Sequence, residues 1–332
     1  MSTAASTTEP GAGGGTAAGG RFAPAGRLAR QYGGILVALL LLGIVFSVLS
    51  SRFLALDNFI NIAQQVAVIA VAAFGMTFVI MLGEIDLSVG SMIAVAGMVA
   101  AQCLAHGSGI VPAAAAALLS GLAMGALNGL MVARLGLPSF IVTLATMGAF
   151  RGLVSLPTGG LPTAIDDDTW LDLGTDSLLG VPILVWIMLL LFAGSVVLQG
   201  QTVFGRRAYL TGGNAEAATY SGIRVPRVRI AAFMLSGALA AVSGMMLSSR
   251  LSSAQTNAGM GYELDAIAAT VLGGTSLSGG TGSMIGTLLG TLVIGVINNG
   301  MNMLSIPYFY QLIVKGMVIL VAVWLDTRNK KA

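Results

Sequence analysis

Apolar stretches recur along almost the whole chain. Most are close to the length of a membrane-spanning helix or as long as one. A bilayer-crossing helix needs about 20 mostly apolar residues. Charged residues make up only 9% of the 332 residues, too few for the surface of a soluble fold of this length. The sequence therefore predicts an all-α, polytopic membrane protein of about ten transmembrane helices, at residues 33–50, 58–82, 87–104, 110–132, 140–156, 181–198, 230–249, 265–277, 284–297 and 308–325.

Two segments within this series repeat one pattern. The spacing L-G-x-x-x-L-S-x-G occurs at residues 82–90 and again at 272–280, and each copy runs on into Ser-Met-Ile. Paired helix interruptions of this kind line transport pathways in proteins built from two related halves. Gly- and Ser-rich loops that only let helices approach closely are the alternative. We expect broken or re-entrant helices around residues 82–90 and 272–283, because irregular backbone is tolerated in membranes where protein or a water-filled cavity covers it.

Polar and small residues of these segments are the candidate pathway residues. Asp86 has a second interpretation, which is capping of the third helix. The two asparagines that directly follow the ninth run are candidates as well, although hydrogen bonds between helices would also explain them. The full set is Glu84, Asp86, Ser88, Gly90, Gly273, Gly274, Ser278, Asn298 and Asn299.

The distribution of basic residues predicts the topology. With ten spans and an internal N-terminus, twelve of the 16 Lys and Arg residues lie on the inner side, as the positive-inside rule requires. Segment 199–229 is then cytoplasmic and the acidic loop 157–180 is external. The predicted organisation is a disordered cytoplasmic tail (1–30), a transmembrane domain (31–326) and a basic cytoplasmic tail (327–332).

Several function classes are disfavoured by what the sequence lacks. It has one cysteine, Cys103, and one histidine, His106, so cysteine metal sites, Ser-His-Asp catalysis and histidine relays are not expected. No G-x-x-x-x-G-K-[ST] pattern is present, so the chain is not expected to hold ATP phosphates itself. The net charge of +3 gives no reason to expect nucleic-acid binding. We assign no catalytic residue, no metal site and no cofactor bound by this chain.

A short helix is predicted within the cytoplasmic segment. Glu216, Ala217 and Ala218 begin it, and Gly222 permits a sharp end, which gives the spacing E-A-A-x-x-x-G. This spacing resembles the coupling loop of ATP-binding-cassette (ABC) importer permeases, where a short helix docks on the ATPase subunit. An ordinary amphipathic surface helix is the alternative.

Further motifs in the same order resemble the monosaccharide-type ABC permeases, those of ribose, arabinose and xylose importers. The resemblance runs from about Gly33 to Asp326. One departure is Glu84, where that family commonly has a glycine. The motifs that carry the resemblance are residues 83–91, 137–146, 212–218 and 271–282.

The resemblance implies a non-enzymatic permease subunit that carries a monosaccharide or polyol across the bacterial cytoplasmic (inner) membrane by alternating access. The implied partners are cytoplasmic ABC ATPase subunits that use the ATP, an extracytoplasmic sugar-binding protein, and a second permease copy or homologue, all within membrane lipid. Permeases for nucleosides or branched-chain amino acids share much of the pattern.

An ion-coupled secondary transporter is the main alternative from another class. Such carriers place ionisable groups within the bundle. Here Glu263 and Asp265 are expected at the outer start of the eighth helix, and Lys315 is expected to snorkel or to form a salt bridge. The small number of charges far from helix ends argues against ion coupling.

Overall fold

The computed structural model describes the backbone of residues 23–329 and the side chains of residues 32–324. The chain divides into two units, Met1–Gly34 and Ile35–Ala332. Most of the predicted N-terminal tail lies outside the described residues, and helical backbone begins at Ala23 within it. The last residues of the predicted C-terminal tail are likewise outside the described part.

The regular secondary structure of the described chain is helical, apart from four strands of two residues each. In chain order the elements are α1 (Ala23–Leu49), α2 (Leu56–Met81), α3 (Val89–Ala105), α4 (Ile110–Arg134), α5 (Ser139–Ser155), β1 (Thr163–Ala164), α6 (Asp168–Thr175), β2 (Ser177–Leu178), β3 (Val181–Pro182), α7 (Ile183–Gln201), α8 (Val203–Gly213), α9 (Ala215–Tyr220), α10 (Val225–Arg250), β4 (Ser253–Ala254), α11 (Tyr262–Leu272), α12 (Met284–Met303) and α13 (Tyr308–Asn329).

The predicted class, an all-α polytopic membrane protein, is confirmed. Six described helices are long and apolar enough to cross a membrane, and three further apolar helices, α3, α5 and the Tyr308–Trp324 part of α13, are shorter. The eighth predicted run, residues 265–277, is too short for a full span, and the helix found there, α11, has only 11 residues. At 1.5 Å per residue it covers about 16 Å, roughly half of a 30 Å hydrocarbon core.

Both predicted helix interruptions are present. The backbone leaves helical geometry after Met81 and resumes it at Val89, and a longer non-helical segment separates Leu272 from Met284. The ninth run, predicted to end at Ile297, continues as a helix to Met303 and has 20 residues. The interruptions leave α3 and α11 as short helices on either side of irregular backbone.

Glycines allow α4 and α10 to pack with their backbones in contact. A Cβ atom on Gly121 would overlap the carbonyl oxygen of Gly237, and one on Gly125 would overlap that of Phe233. The spacing of Gly121, Gly125 and Gly129 places all three on one face of α4. Small residues at such spacing are typical of closely packed membrane helices.

We expect Gly125→Ala to destabilise the protein, because the added methyl group has no space against α10. Overpacking of a closed interface costs about 1–3 kcal/mol. Gly43→Ala is the matched control, since a Cβ there meets no atom within 4 Å. Thermal unfolding of the purified variants checks this; equal midpoints for the two would contradict it.

Loops gather at two ends of the helical unit. At one, called the α9 end, the C-termini of α2 and α7 lie next to α8. At the other, called the β end, β1 pairs antiparallel with β4, and Thr163 lies opposite Ala254. Gly174 of α6 packs there against the backbone of Ser249 and Arg250 at the end of α10.

Candidate functional site

The two repeated loops contact each other at the α9 end. The N–H of Gly280 donates a hydrogen bond of 2.9 Å to the carbonyl oxygen of Met81. Gly83, at φ +75°, lies so close to the second loop that a Cβ on it would be 3.5 Å from the Ser278 carbonyl oxygen. Two segments almost two hundred residues apart, which share one sequence pattern, therefore form one structure.

The end of α8 inserts between these loops. A Cβ on Gly212 would overlap the Met81 carbonyl oxygen and lie 2.6 Å from the Gly280 nitrogen. A Cβ on Gly279 would lie 2.7 Å from the Gly212 carbonyl oxygen. We call this contact of Met81–Gly83, Gly212 and Gly279–Gly280 the loop junction. Only glycine fits at Gly212 without moving one of the loops.

Side chains of α7 and α8 reinforce the loop junction. The Tyr209 hydroxyl donates to the Gly282 carbonyl oxygen at 2.5 Å. Gln199 donates to the same carbonyl at 3.1 Å and accepts from the Met284 N–H at 3.2 Å. These bonds connect the ends of α7 and α8 to the start of α12. Sequence reasoning missed both side chains, because nothing local distinguishes them from ordinary polar residues at helix ends.

The predicted short helix is α9, and it follows the loop junction directly. The Asn214 side chain caps it by accepting the Ala217 N–H at 2.9 Å. Ala218 packs inward with 4% exposure, whereas Glu216 and Ala217 are exposed. Gly222 ends the helix at φ +80°, a left-handed conformation that favours glycine. The helix thus presents an exposed surface on a rigid base.

Asp86 organises the irregular segment between α2 and α3. It is fully buried and accepts hydrogen bonds from the Ser88 N–H at 3.0 Å, the Ser88 hydroxyl at 2.6 Å and the Ser236 hydroxyl at 3.1 Å. Ser88 in turn accepts from the Asn128 amide at 2.8 Å. The carboxylate therefore bonds to the residue just before α3 and fixes the segment to α4 and α10.

Glu84 has a partner on α10. Its Oε1 atom lies 3.0 Å from Nε of Arg229, and the side-chain exposures are 12% and 30% respectively. Arg229 lies in the first turns of α10, shortly after α9 in the chain. The ion pair thus links the first repeated loop to the segment that follows the short helix.

The start of α11 is buried. Asp265 is 1% exposed, and its Oδ2 accepts from Lys315 Nζ at 2.8 Å and from the Asn298 amide at 3.1 Å. The Glu263 carboxylate reaches Gly90 at the start of α3, where a Cβ on Gly90 would overlap it. Both carboxylates lie in the first turn of α11, the helix position expected from the sequence. Lys315 forms the salt bridge that was one of its two predicted roles.

The remaining candidates occupy different places. Gly273 packs closely on the start of α12, where a Cβ would be 2.5 Å from the Thr287 nitrogen. Gly274 is left-handed, at φ +88°, and a Cβ there would meet no neighbour. The Asn299 amide donates to Asn58 Oδ1 at 2.9 Å near the β end, away from the loop junction.

The described residues contain no group of three or more His, Cys, Asp or Glu side chains that could hold a metal ion. The geometry is that of closely packed helices, two meeting loops and an exposed short helix. In this arrangement α8 joins the exposed helix α9 directly to both loops.

Comparisons with known proteins find transport permeases among the relatives of this chain. The family model described as branched-chain amino acid transport system / permease component matches residues 58–323. The ribose import permease protein RbsC of Bacillus subtilis strain 168 is 47% identical over 301 residues, which covers 90% of this chain and 93% of that protein. The L-arabinose ABC transporter permease protein AraH of Azospirillum brasilense is 37% identical, covering 90% and 88%. The xylose transport system permease protein XylH of Escherichia coli K12 is 37% identical, covering 84% and 87%. No solved structure matches the chain.

Proposed function

The chain belongs to the branched-chain amino acid transport system / permease component family, and from this we infer that it is the membrane-spanning permease subunit of an ABC importer for a monosaccharide. Relatives named for ribose, arabinose and xylose transport, each matched over more than four fifths of both chains, support a pentose or a similar sugar as substrate. The single observation that carries the mechanism is the loop junction, since it connects an exposed short helix to both repeated interruptions.

We propose that ATP is hydrolysed on a separate subunit that docks on α9. Glu216, Ala217 and the exposed Gly222 provide the contact surface. Beside them lies a cavity of about 500 Å³ whose lining includes Arg207, Arg224 and Arg227. Three arginines favour a partner with acidic groups at this position. The α9 end is then cytoplasmic, in agreement with the basic residues that gather there.

We propose that two permease copies, or this chain and a homologue, form the pathway between them. Helix α5 has one exposed face on which small residues recur, and Gly148 and Gly152 have open space where a Cβ would lie. Ala145 and Ala149 are exposed on the same face. Small residues at this spacing let membrane helices approach closely.

An extracytoplasmic sugar-binding protein is the third proposed partner. It would dock at the β end, where the acidic loop 157–180 folds into β1, α6 and β2. The location is the bacterial cytoplasmic membrane, with both chain ends on the cytoplasmic side.

The buried charges bear on the ion-coupled alternative. Asp265 and Lys315 both lie within the bundle, so more charge is buried there than was expected from the sequence. The two charges are paired at 2.8 Å and nearly fully buried, so they form a closed ion pair. This pairing, together with relatives named as ABC permeases, supports ATP as the energy source.

We expect Gly222→Asp to abolish sugar-stimulated ATP hydrolysis in the assembled transporter while the permease remains folded. The left-handed backbone costs a non-glycine residue roughly 1–2 kcal/mol, and the added carboxylate repels an acidic partner. Gly136→Asp is the matched control, since Gly136 is left-handed at φ +67° and lies in open space outside α9. Normal stimulated hydrolysis in Gly222→Asp would count against docking at α9.

The substrate class is tested by uptake in cells. A strain from which the gene is deleted should lose uptake of one labelled sugar among pentoses, hexoses and inositols, and the wild-type gene should restore it. Uptake of a labelled nucleoside or branched-chain amino acid that follows the gene instead would overturn the sugar assignment.

A further inference from the structure

A polar cavity opens at the β end, away from the loop junction and from α9. Its volume is about 750 Å³, within the range of small-molecule sites. It lies between the start of α2, the end of α10 and the end of α12. The lining residues are Arg52, Ala55, Asp57, Asn58, Asn61, Gln65, Arg250, Asn299, Asn302 and Met303.

Most of the polar groups in this cavity are not used by the protein. Among the described residues, the side chains of Arg52, Asp57, Asn61 and Gln65 take part in no hydrogen bond or ion pair. Arg250 likewise donates no hydrogen bond to a described residue. Their polar atoms are therefore free to bond to water or to a ligand.

Asn299, a buried residue of the same lining, has an acceptor atom without a donor. Asn299 is 7% exposed, and its amide donates to Asn58. Its Oδ1 atom is buried and has no hydrogen-bond partner. A buried acceptor left unpaired costs about 1–3 kcal/mol. A ligand hydroxyl in the cavity would satisfy it.

The polar residues of α2 form a stripe on a helix that is otherwise apolar. Asn58, Asn61 and Gln65 are three and four residues apart, so they lie on one face. Asn299 and Asn302 of α12 face them across the cavity. Amides both donate and accept, which matches hydroxyl groups that do the same. Two arginines and one aspartate leave little net charge, so the lining suits a neutral polyhydroxylated molecule better than an anion.

We propose that this cavity is a binding site for a monosaccharide on the permease itself, at the face where sugar arrives. The proposal rests on the proposed function and adds the place where the sugar binds. Asn299 and Asn61 contact the sugar hydroxyls, and Arg52 and Arg250 border the site. The site lies within one permease chain and is separate from the pathway proposed between two copies.

Protection of an engineered cysteine tests this site. Asn61→Cys is made in a Cys103→Ser background, and the complete permease–ATPase complex is placed in lipid nanodiscs. The rate of maleimide labelling is measured with D-ribose, L-arabinose or D-xylose as probes. Labelling should slow about tenfold at a sugar concentration about ten times the dissociation constant. Ala105→Cys, exposed at the same end on α3, is the matched control and should label at an unchanged rate.

A second variant separates binding from a general effect of sugar on the complex. Adding Asn299→Ala to Asn61→Cys should raise the sugar concentration needed for protection by about tenfold, because one hydrogen bond is lost. Thermal unfolding confirms that both proteins are folded. Equal protection with and without Asn299→Ala would overturn the assignment.

The remaining outcomes also decide the question. Failure of all three sugars to slow labelling, failure of Asn61→Cys to react at all, or protection only by an added sugar-binding protein would each contradict a sugar site here. Ribose, arabinose or xylose uptake by the same complex, measured in parallel, distinguishes these failures from a failure of the proposed function. Uptake without protection would leave the transporter assignment intact and would rule out sugar binding in this cavity.

Discussion

Gly212→Ala should lower sugar uptake by about tenfold or more, whereas Gly213→Ala should leave it close to that of the unchanged protein. A Cβ on Gly212 would overlap the Met81 carbonyl oxygen and lie 2.6 Å from the Gly280 nitrogen, both of which are backbone atoms. Such atoms yield only if a loop moves, and overpacking costs about 1–3 kcal/mol. A Cβ on Gly213 would meet nothing within 4 Å.

The two substitutions form a matched pair, because they change adjacent glycines of α8 by the same methyl group. Uptake and ATP hydrolysis are measured together in vesicles that contain the assembled transporter. We expect Gly212→Ala to hydrolyse ATP without moving sugar, since α9 and its docking surface are unchanged. Equal uptake by the two variants would mean that the loop junction does not carry the coupling.

The second large effect concerns the buried ion pair of α11 and α13. Lys315→Met should destabilise the protein by about 3–5 kcal/mol, because it leaves the Asp265 carboxylate buried without its cation. Asp265 is 1% exposed, so solvent cannot take the place of the lysine. Loss of the folded protein from membranes and a lower unfolding midpoint are the expected observations.

A double variant provides the control for this prediction. Asp265→Asn combined with Lys315→Met removes both charges, and the Asn298 amide keeps an oxygen to bond. Replacing both members of a buried pair is far less harmful than removing one. The double variant should therefore be more stable than Lys315→Met alone. A double variant no better than the single one would show that the charges do not stabilise α11 through each other.

Helix content and the position of both interruptions could be predicted from the sequence. Apolar runs determine where membrane helices form, and the repeat at residues 82–90 and 272–280 marked the breaks. The prediction ended the ninth helix too early, at Ile297, because polar Asn298 and Asn299 follow. The helix continues there because Asp265 and Asn58 accept hydrogen bonds from these two amides.

Contacts between distant segments could not be predicted. Nothing in the sequence distinguishes Gly212 from Gly213, since the difference arises only when α8 meets the two loops. The pairing of Asp265 with Lys315 joins residues fifty positions apart, which only the packing of α11 against α13 brings together. Asn58, Asn61 and Gln65 lie at helical spacing in the sequence, but all three were assigned to one apolar run, residues 58–82.

The energy source is tested most directly by uptake of a labelled sugar into vesicles that contain the permease, its ATPase and the sugar-binding protein. Uptake should require ATP on the α9 side, persist when an ionophore collapses all ion gradients, and stop when the ATPase is left out. Uptake by the permease alone that the ionophore abolishes would contradict the account and would identify an ion-coupled carrier.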